Sequence, residues 1–199
     1  MEIYKSLWLK ENEKKRKNRR PETYDLVLKL RDVVEEADLH GNLPTPKWLM
    51  LCAAMDVIED TQQAIEAYIA APANRNRRVG ERYLRTYGVL QALFVQQDSA
   101  RDLCNALSVP HLWNPSPVER VRELRIKSIG HPTVTRKSQR SRQSSHFIVQ
   151  ISLGNRGFEL HSFDGDGNMT RQSVSIPKLA AEQVKHINET LKALLKHIT

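Results

Sequence analysis

The sequence predicts a mainly α protein: an antiparallel helical bundle with a small antiparallel β meander inserted before the C-terminal helix. Three observations predict it. Apolar residues recur at helical spacing as far as residue 130. They then alternate strictly through part of 146–176, as half-buried strands require. Helical spacing returns from residue 177 to the end.

Each element has its own signal. Residues 1–20 are finely mixed in charge and read as a charged arm or short helix. Pro21 opens a helix, proline being suited to a first turn, with Leu26, Leu30, Val33, Val34 and Ala37 on one side. Gly41 to Pro44 stops it. Thr45 and Pro46 start a second helix striped by Trp48, Leu51, Cys52, Met55, Ile58, Ile65, Tyr68 and Ile69. A long helix from about Arg78 to Leu107 carries Tyr83, Tyr87, Leu90, Leu93, Phe94, Gln97, Cys104 and Leu107. After a loop from Pro110 to Pro117, a short helix runs to Gly130. His146–Leu153, Phe158–Phe163 and Met169–Ile176 read as three strands, divided by turn signals at 154–157 and 164–168. Leu179, Val184, Ile187, Leu191, Leu194 and Ile198 define the last helix. The expected organisation is an arm at 1–20, a bundle at 21–132, a basic, serine-rich linker at 133–145, the meander at 146–176, and a helix at 177–199 that packs on the bundle.

The chain has 199 residues and a net charge of +8. Cations cluster at 14–20, 75–78 and 136–142. Such runs either track a polyanion or act as solvated tails and loops that aid solubility. No apolar run approaches the roughly 18 residues of a membrane span, and the N-terminus lacks a signal-peptide pattern. Cys52 and Cys104 fall in helical patterns and read as small core residues. The expectation is a cytoplasmic protein with no membrane contact.

Most motifs fail on their chemistry. Residues 164–175 begin like a calcium loop. However, Met169 stands where the sharp turn needs glycine, and Ser175 where a bidentate glutamate is needed, so a hairpin turn fits better. The seven histidines show no metal-ligand spacing, and no phosphate loop or nucleophile elbow occurs. The expectation is no metal and no cofactor.

One segment stands apart. Taking Val118 as the origin at 100° per residue, Val121 falls at ~300°, Leu124 at ~240°, Arg125 at ~340° and Ile129 at ~20°. Arg125 is therefore expected near the centre of the core-facing side, where a bare guanidinium needs a carboxylate, a phosphate or water. Gly130 and Pro132 force the helix to end around His131. In a continued helix Arg125 and His131 would lie about 120° apart and ~9 Å along the axis. They would meet more readily across a two-fold dimer than within one chain. The alternative is structural: an arginine whose stem lies on the core and whose head reaches water, and a histidine that caps the helix. Gln97 is similarly open. It either satisfies a polar group within the bundle or lines the groove that Arg125 faces.

The run from Arg125 to His131, near the end of a bundle helix, resembles the Arg-x(4–6)-His motif of the HEPN superfamily. Residues 82–98 and 130–133 also look like uncharacterised bacterial members, and the resemblance spans about residues 45–135. It implies a helical bundle acting as a homodimer, with metal-independent endoribonuclease activity of toxin or anti-phage type. The partners implied are RNA and a cognate antitoxin or other protein. Arg125 and His131 would be catalytic, with Arg122, Gln97 and Lys127 binding substrate. In the family's chemistry a ribose 2′-hydroxyl attacks its own phosphate. His131 would move the proton and Arg125 would hold the phosphate. Active members commonly place a polar residue after the motif arginine. Ile126 stands there, which favours a second reading: a non-catalytic HEPN-like module that binds a nucleotide, nucleic acid or protein.

Overall fold

The computed structural model describes residues 21–71, 78–110, 115–130, 133–134, 144–154 and 156–198. The N-terminal arm, the basic runs at 14–20 and 136–142, most of the run at 75–78, and His131 lie outside these residues.

Pro21, at φ −57° and ψ 145°, turns the chain into helix α1 (Glu22–Glu36). The single turn α2 (Leu39–Asn42) follows Asp38, and α3 (Thr45–Ala70) opens with proline in its first turn. Next come α4 (Val79–Ala106) and α5 (Pro115–Arg125), which passes directly into a π turn at Ile126–Gly130. The last helix is α6 (Ile176–Ile198). α3 and α4 pack along each other, α1 lies on α6, and α5 docks on α4. Among the described residues no helix is long and apolar enough to cross a membrane.

The sheet has four antiparallel strands in the order β1 (Thr133–Val134), β2 (Ser144–Ile148), β3 (Gly157–Phe163), β4 (Met169–Ser175). This departs from the sequence reading in two places. The expected linker begins and ends in strand, because Thr133 pairs with Ser145 and Val134 with Ser144. The apolar run beginning at His146 also stops early. A 3-10 turn at Gln150–Ser152 breaks it and leaves Ile151 exposed. Side chains from the bundle hold that bend: the Tyr68 hydroxyl donates to the Gly154 carbonyl at 3.2 Å and Arg82 Nη1 to the Leu153 carbonyl at 3.0 Å. At the start of β3, Gly157 has φ +150°, and a Cβ there would strike the Val174 carbonyl oxygen. Only glycine suits that approach.

The core falls into two apolar clusters. One joins Ile65, Leu93, Val121, Leu124, Phe158, Leu160 and Leu179, so the inner face of the sheet shares it with the helices. The other joins Leu30, Leu51, Ile58, Leu103, Ile187 and Leu191. Where the sequence passes from one cluster to the other, α3 presents Gln62, α4 presents Gln96 and Gln97, and α6 presents Gln183, all buried. The donors run one way. Gln97 Nε2 donates to Gln183 Oε1 at 2.8 Å, and Gln183 Nε2 to Gln96 Oε1 at 2.9 Å. Gln96 Nε2 then donates to Gln62 Oε1 at 3.2 Å, and Gln62 Nε2 to the Glu66 carboxylate at 2.7 Å. Such a chain polarises each bond toward the anion at its end.

Gln183→Leu removes an acceptor from Gln97 and a donor from Gln96 while keeping the site filled. Buried groups left unpaired cost about 1–3 kcal/mol each. A lower urea midpoint is expected, and an unchanged midpoint would show the layer to be inert.

Candidate functional site

α5 buries Val118, Val121 and Leu124 against the bundle. Their mean direction is that of Val121, so Arg125 stands about 40° off the buried line by helix geometry. It lies within the arc of these buried residues, between Val121 and Val118, and is itself only partly buried. The residue that receives it is Phe94 of α4. The Arg125 guanidinium carbon is 5.0 Å from the centre of the Phe94 ring, and that of Arg122 is 4.7 Å from the same ring. A π face attracts a cation without neutralising it. Arg125 Nε also donates to Gln91 Oε1 at 3.2 Å. Among the described residues no carboxylate lies within ion-pairing distance of Arg125. The internal ion pair that a purely structural role would use is thus absent among them.

Its neighbour is held differently. Arg122 pairs with Asp98 of α4, which also takes Arg101 at 3.1 Å. Arg122 and Arg101 therefore share one carboxylate, while Arg125 beside them on this ledge has none among the described residues. The ledge attracts anions while its apolar floor gives the arginine stems a place to lie.

The other expected site residues part company. Gln97 is 2% exposed, and its amide N–H donates to Gln183. It belongs to the polar layer inside the bundle, where its amide N–H is paired and its Oε1 is buried with no hydrogen-bond partner among the described residues. Lys127 pairs with Glu123 one turn earlier on the same helical run. Ile126 is 41% exposed beside the guanidinium ledge. His131 follows Gly130, the last residue of the π turn, and lies outside the described residues. The π turn adds a residue to the helical repeat, so the 100° count from Val118 does not carry past Arg125.

Three residues of the site went unremarked in the sequence. Phe94 was legible only as a stripe residue, and no sequence signal marked Gln91. The third is His146 of β2, which packs near the π turn and shares a 2.8 Å hydrogen bond between its Nδ1 and the Ser162 hydroxyl. Alternation along β2 was the available signal, since it turns His146 and Ile148 to the same inner side. The candidate metal ligands do not converge: among the described residues no three His, Cys, Asp or Glu side chains are grouped to hold an ion. Cys52 and Cys104 are free thiols, and burial pushes Cys104 up to about 11. No family model matches the chain, and no curated protein or solved structure gives a significant match.

Burial, and for His146 also the Lys127 charge, lowers the His146 and His186 imidazoles below the usual histidine value of 6.5. Folding thus favours their neutral forms. As pH falls through the unfolded value, the unfolded chain binds protons that the folded chain refuses, so stability is lost on that side. The urea midpoint is expected to be lower at pH 5.5 than at pH 7.5, with a shallower fall in His186→Gln. A midpoint that held or rose on acidification would contradict the burial of these rings.

Proposed function

We propose that the chain is a HEPN-like, metal-independent endoribonuclease that works as a homodimer. The observation that carries this reading is Arg125, a guanidinium seated on Phe94 with no carboxylate partner among the described residues. A phosphate oxygen is the natural counter-charge for such a group. Arg122, on the same ring, adds field at that point, though Asp98 holds its guanidinium.

The chemistry then follows the order of the chain. A phosphodiester docks on Arg125. The ribose 2′-hydroxyl attacks the adjacent phosphorus, loses its proton to a base and expels the 5′-oxygen of the next nucleotide. The products are a 2′,3′-cyclic phosphate and a free 5′-hydroxyl. His131, six residues beyond Arg125, takes or returns the proton, its ordinary pKa of ~6.5 lying close to neutral pH. The growing negative charge on the phosphorane is met by Arg125. Two copies related by a two-fold axis bring two such pairs to one cleft.

One observation favours a second reading. Ile126 sets a half-exposed apolar side chain where a polar neighbour would help to orient the reacting groups. The same ledge without catalysis would be a binding module for RNA, a nucleotide or a protein partner such as a cognate antitoxin.

Purified protein is expected to cleave single-stranded RNA in the presence of EDTA and to leave cyclic-phosphate ends. His131→Ala should reduce the rate by about 10²–10⁴, the range of general acid–base catalysis, with the circular dichroism unchanged. Arg125→Ala should lower it by roughly 10²–10³. A requirement for magnesium, or full activity in His131→Ala, sinks the nuclease reading. RNA binding without cleavage, weakened by Arg125→Ala, supports the binding module instead.

A further inference from the structure

The sheet has a second face that the bundle does not cover. Alternation and register put Phe147, His161 and Arg171 in one row across β2, β3 and β4, with Phe163 and Met169 opposite each other in the next row. Ile148, Phe158, Leu160 and Val174 point the other way into the core. On the outer face Phe147 is 48% exposed and Met169 42% exposed. The Phe147 ring lies 6.0 Å from that of Phe163 at an interplanar angle of 18°, and 5.5 Å from that of His161. Arg171 is exposed and has no ion-pair or hydrogen-bond partner among the described residues. Glu159 shares the face, 3.6 Å from His161.

A half-buried antiparallel sheet normally turns polar side chains to water. Here three rings and a cation occupy the middle of that side. Flat rings beside a free guanidinium suit a chain of bases joined by phosphates, because any base can stack on an aromatic face. The sequence adds positive charge next to β2 along the chain. Residues 135–143, which link β1 to β2, contain Arg136, Lys137, Arg140 and Arg142 and no acid. We propose that this face is a stacking platform for single-stranded RNA, with bases lying on Phe147 and Phe163 and a phosphate at Arg171. The choice of RNA over DNA rests on the ribonuclease reading; the platform itself does not.

The test is fluorescence anisotropy of the intact protein with a labelled ten-nucleotide 2′-O-methyl RNA, which cannot be cut through a 2′-hydroxyl. Phe147→Ala should weaken binding roughly tenfold or more, and Phe163→Ala similarly, in line with the loss of one stacked base. Phe147→Leu should weaken it nearly as much, since it keeps apolar surface but loses the π face. Arg171→Ala should weaken binding and reduce the salt slope by about one. The RNA annealed to its complement should bind more weakly, because paired bases are not free to stack on the rings. Phe147 is half exposed, so the folded state should tolerate its replacement, and circular dichroism verifies that. The proposal is overturned by wild-type affinity in Phe147→Ala and Phe163→Ala. It is equally overturned by the annealed duplex binding as tightly as the single strand, or by Phe147→Ala changing only the oligomeric state in light scattering. The two proposals fail separately. Binding through Phe147 without cleavage leaves the platform and removes the nuclease, whereas cleavage with an affinity indifferent to Phe147 does the reverse.

Discussion

A layer of buried glutamines fixes how the helices of this bundle face one another. Apolar cores tolerate small rotations and slips, because one methyl group replaces another at little cost. Buried amides do not, since each misplaced donor or acceptor is left unpaired. Gln62, Gln96 and Gln183 lie on three different helices and bond as one chain ending at Glu66. That chain sets the rotation of α4. With Gln96 and Gln97 turned inward, Phe94 is left partly buried at the flank of the first apolar cluster, and Gln91 lies one turn earlier.

The position of Phe94 then decides what α5 can do. The helix buries Val118, Val121 and Leu124 and keeps Arg122 and Arg125 partly buried, where the ring meets both. Asp98 neutralises one guanidinium and shares itself with Arg101. Arg125 keeps a ring and an amide instead. Neither removes its charge, and a cation held that way is prepared for an anion that is not part of the fold. The sheet closes this end of the molecule. Its inner face completes the same apolar cluster and sets His146 near the π turn, while its outer face carries the exposed Phe147 beside the partly buried Phe163.

Much of this was legible in the sequence where a single period carried the signal. The helices of the bundle, the two longer hairpin strands and the final helix follow from apolar spacing, as does the rejection of a calcium loop at 164–168. In the structure Asp164 Oδ1 accepts from the backbone of Asp166 and Asn168, as a turn residue does. What was not legible depends on contacts between elements. Gln97 looked the same on the stripe whether it faced a ligand or Gln183, because periodicity gives a direction and no partner. The direction of Arg125 was legible from Val118, Val121 and Leu124, but its seat on Phe94 was not, and the π turn ends the helical count at Ile126. The Thr133–Val134 strand is too short to show alternation at all, and only its pairing with Ser144 and Ser145 defines it.

The central claim is that Arg125 is a charged group whose partner is a phosphate. The most direct measurement is the side-chain Nε–H resonance of each arginine, followed by nuclear magnetic resonance as a 2′-O-methyl dinucleotide is added. The account predicts that the Arg125 signal shifts in a saturable way. Arg31 should stay still, because Asp56 at 2.7 Å and Glu59 at 3.0 Å already hold it. An Arg125 signal that does not move, or moves no more than that of Arg31, would contradict it.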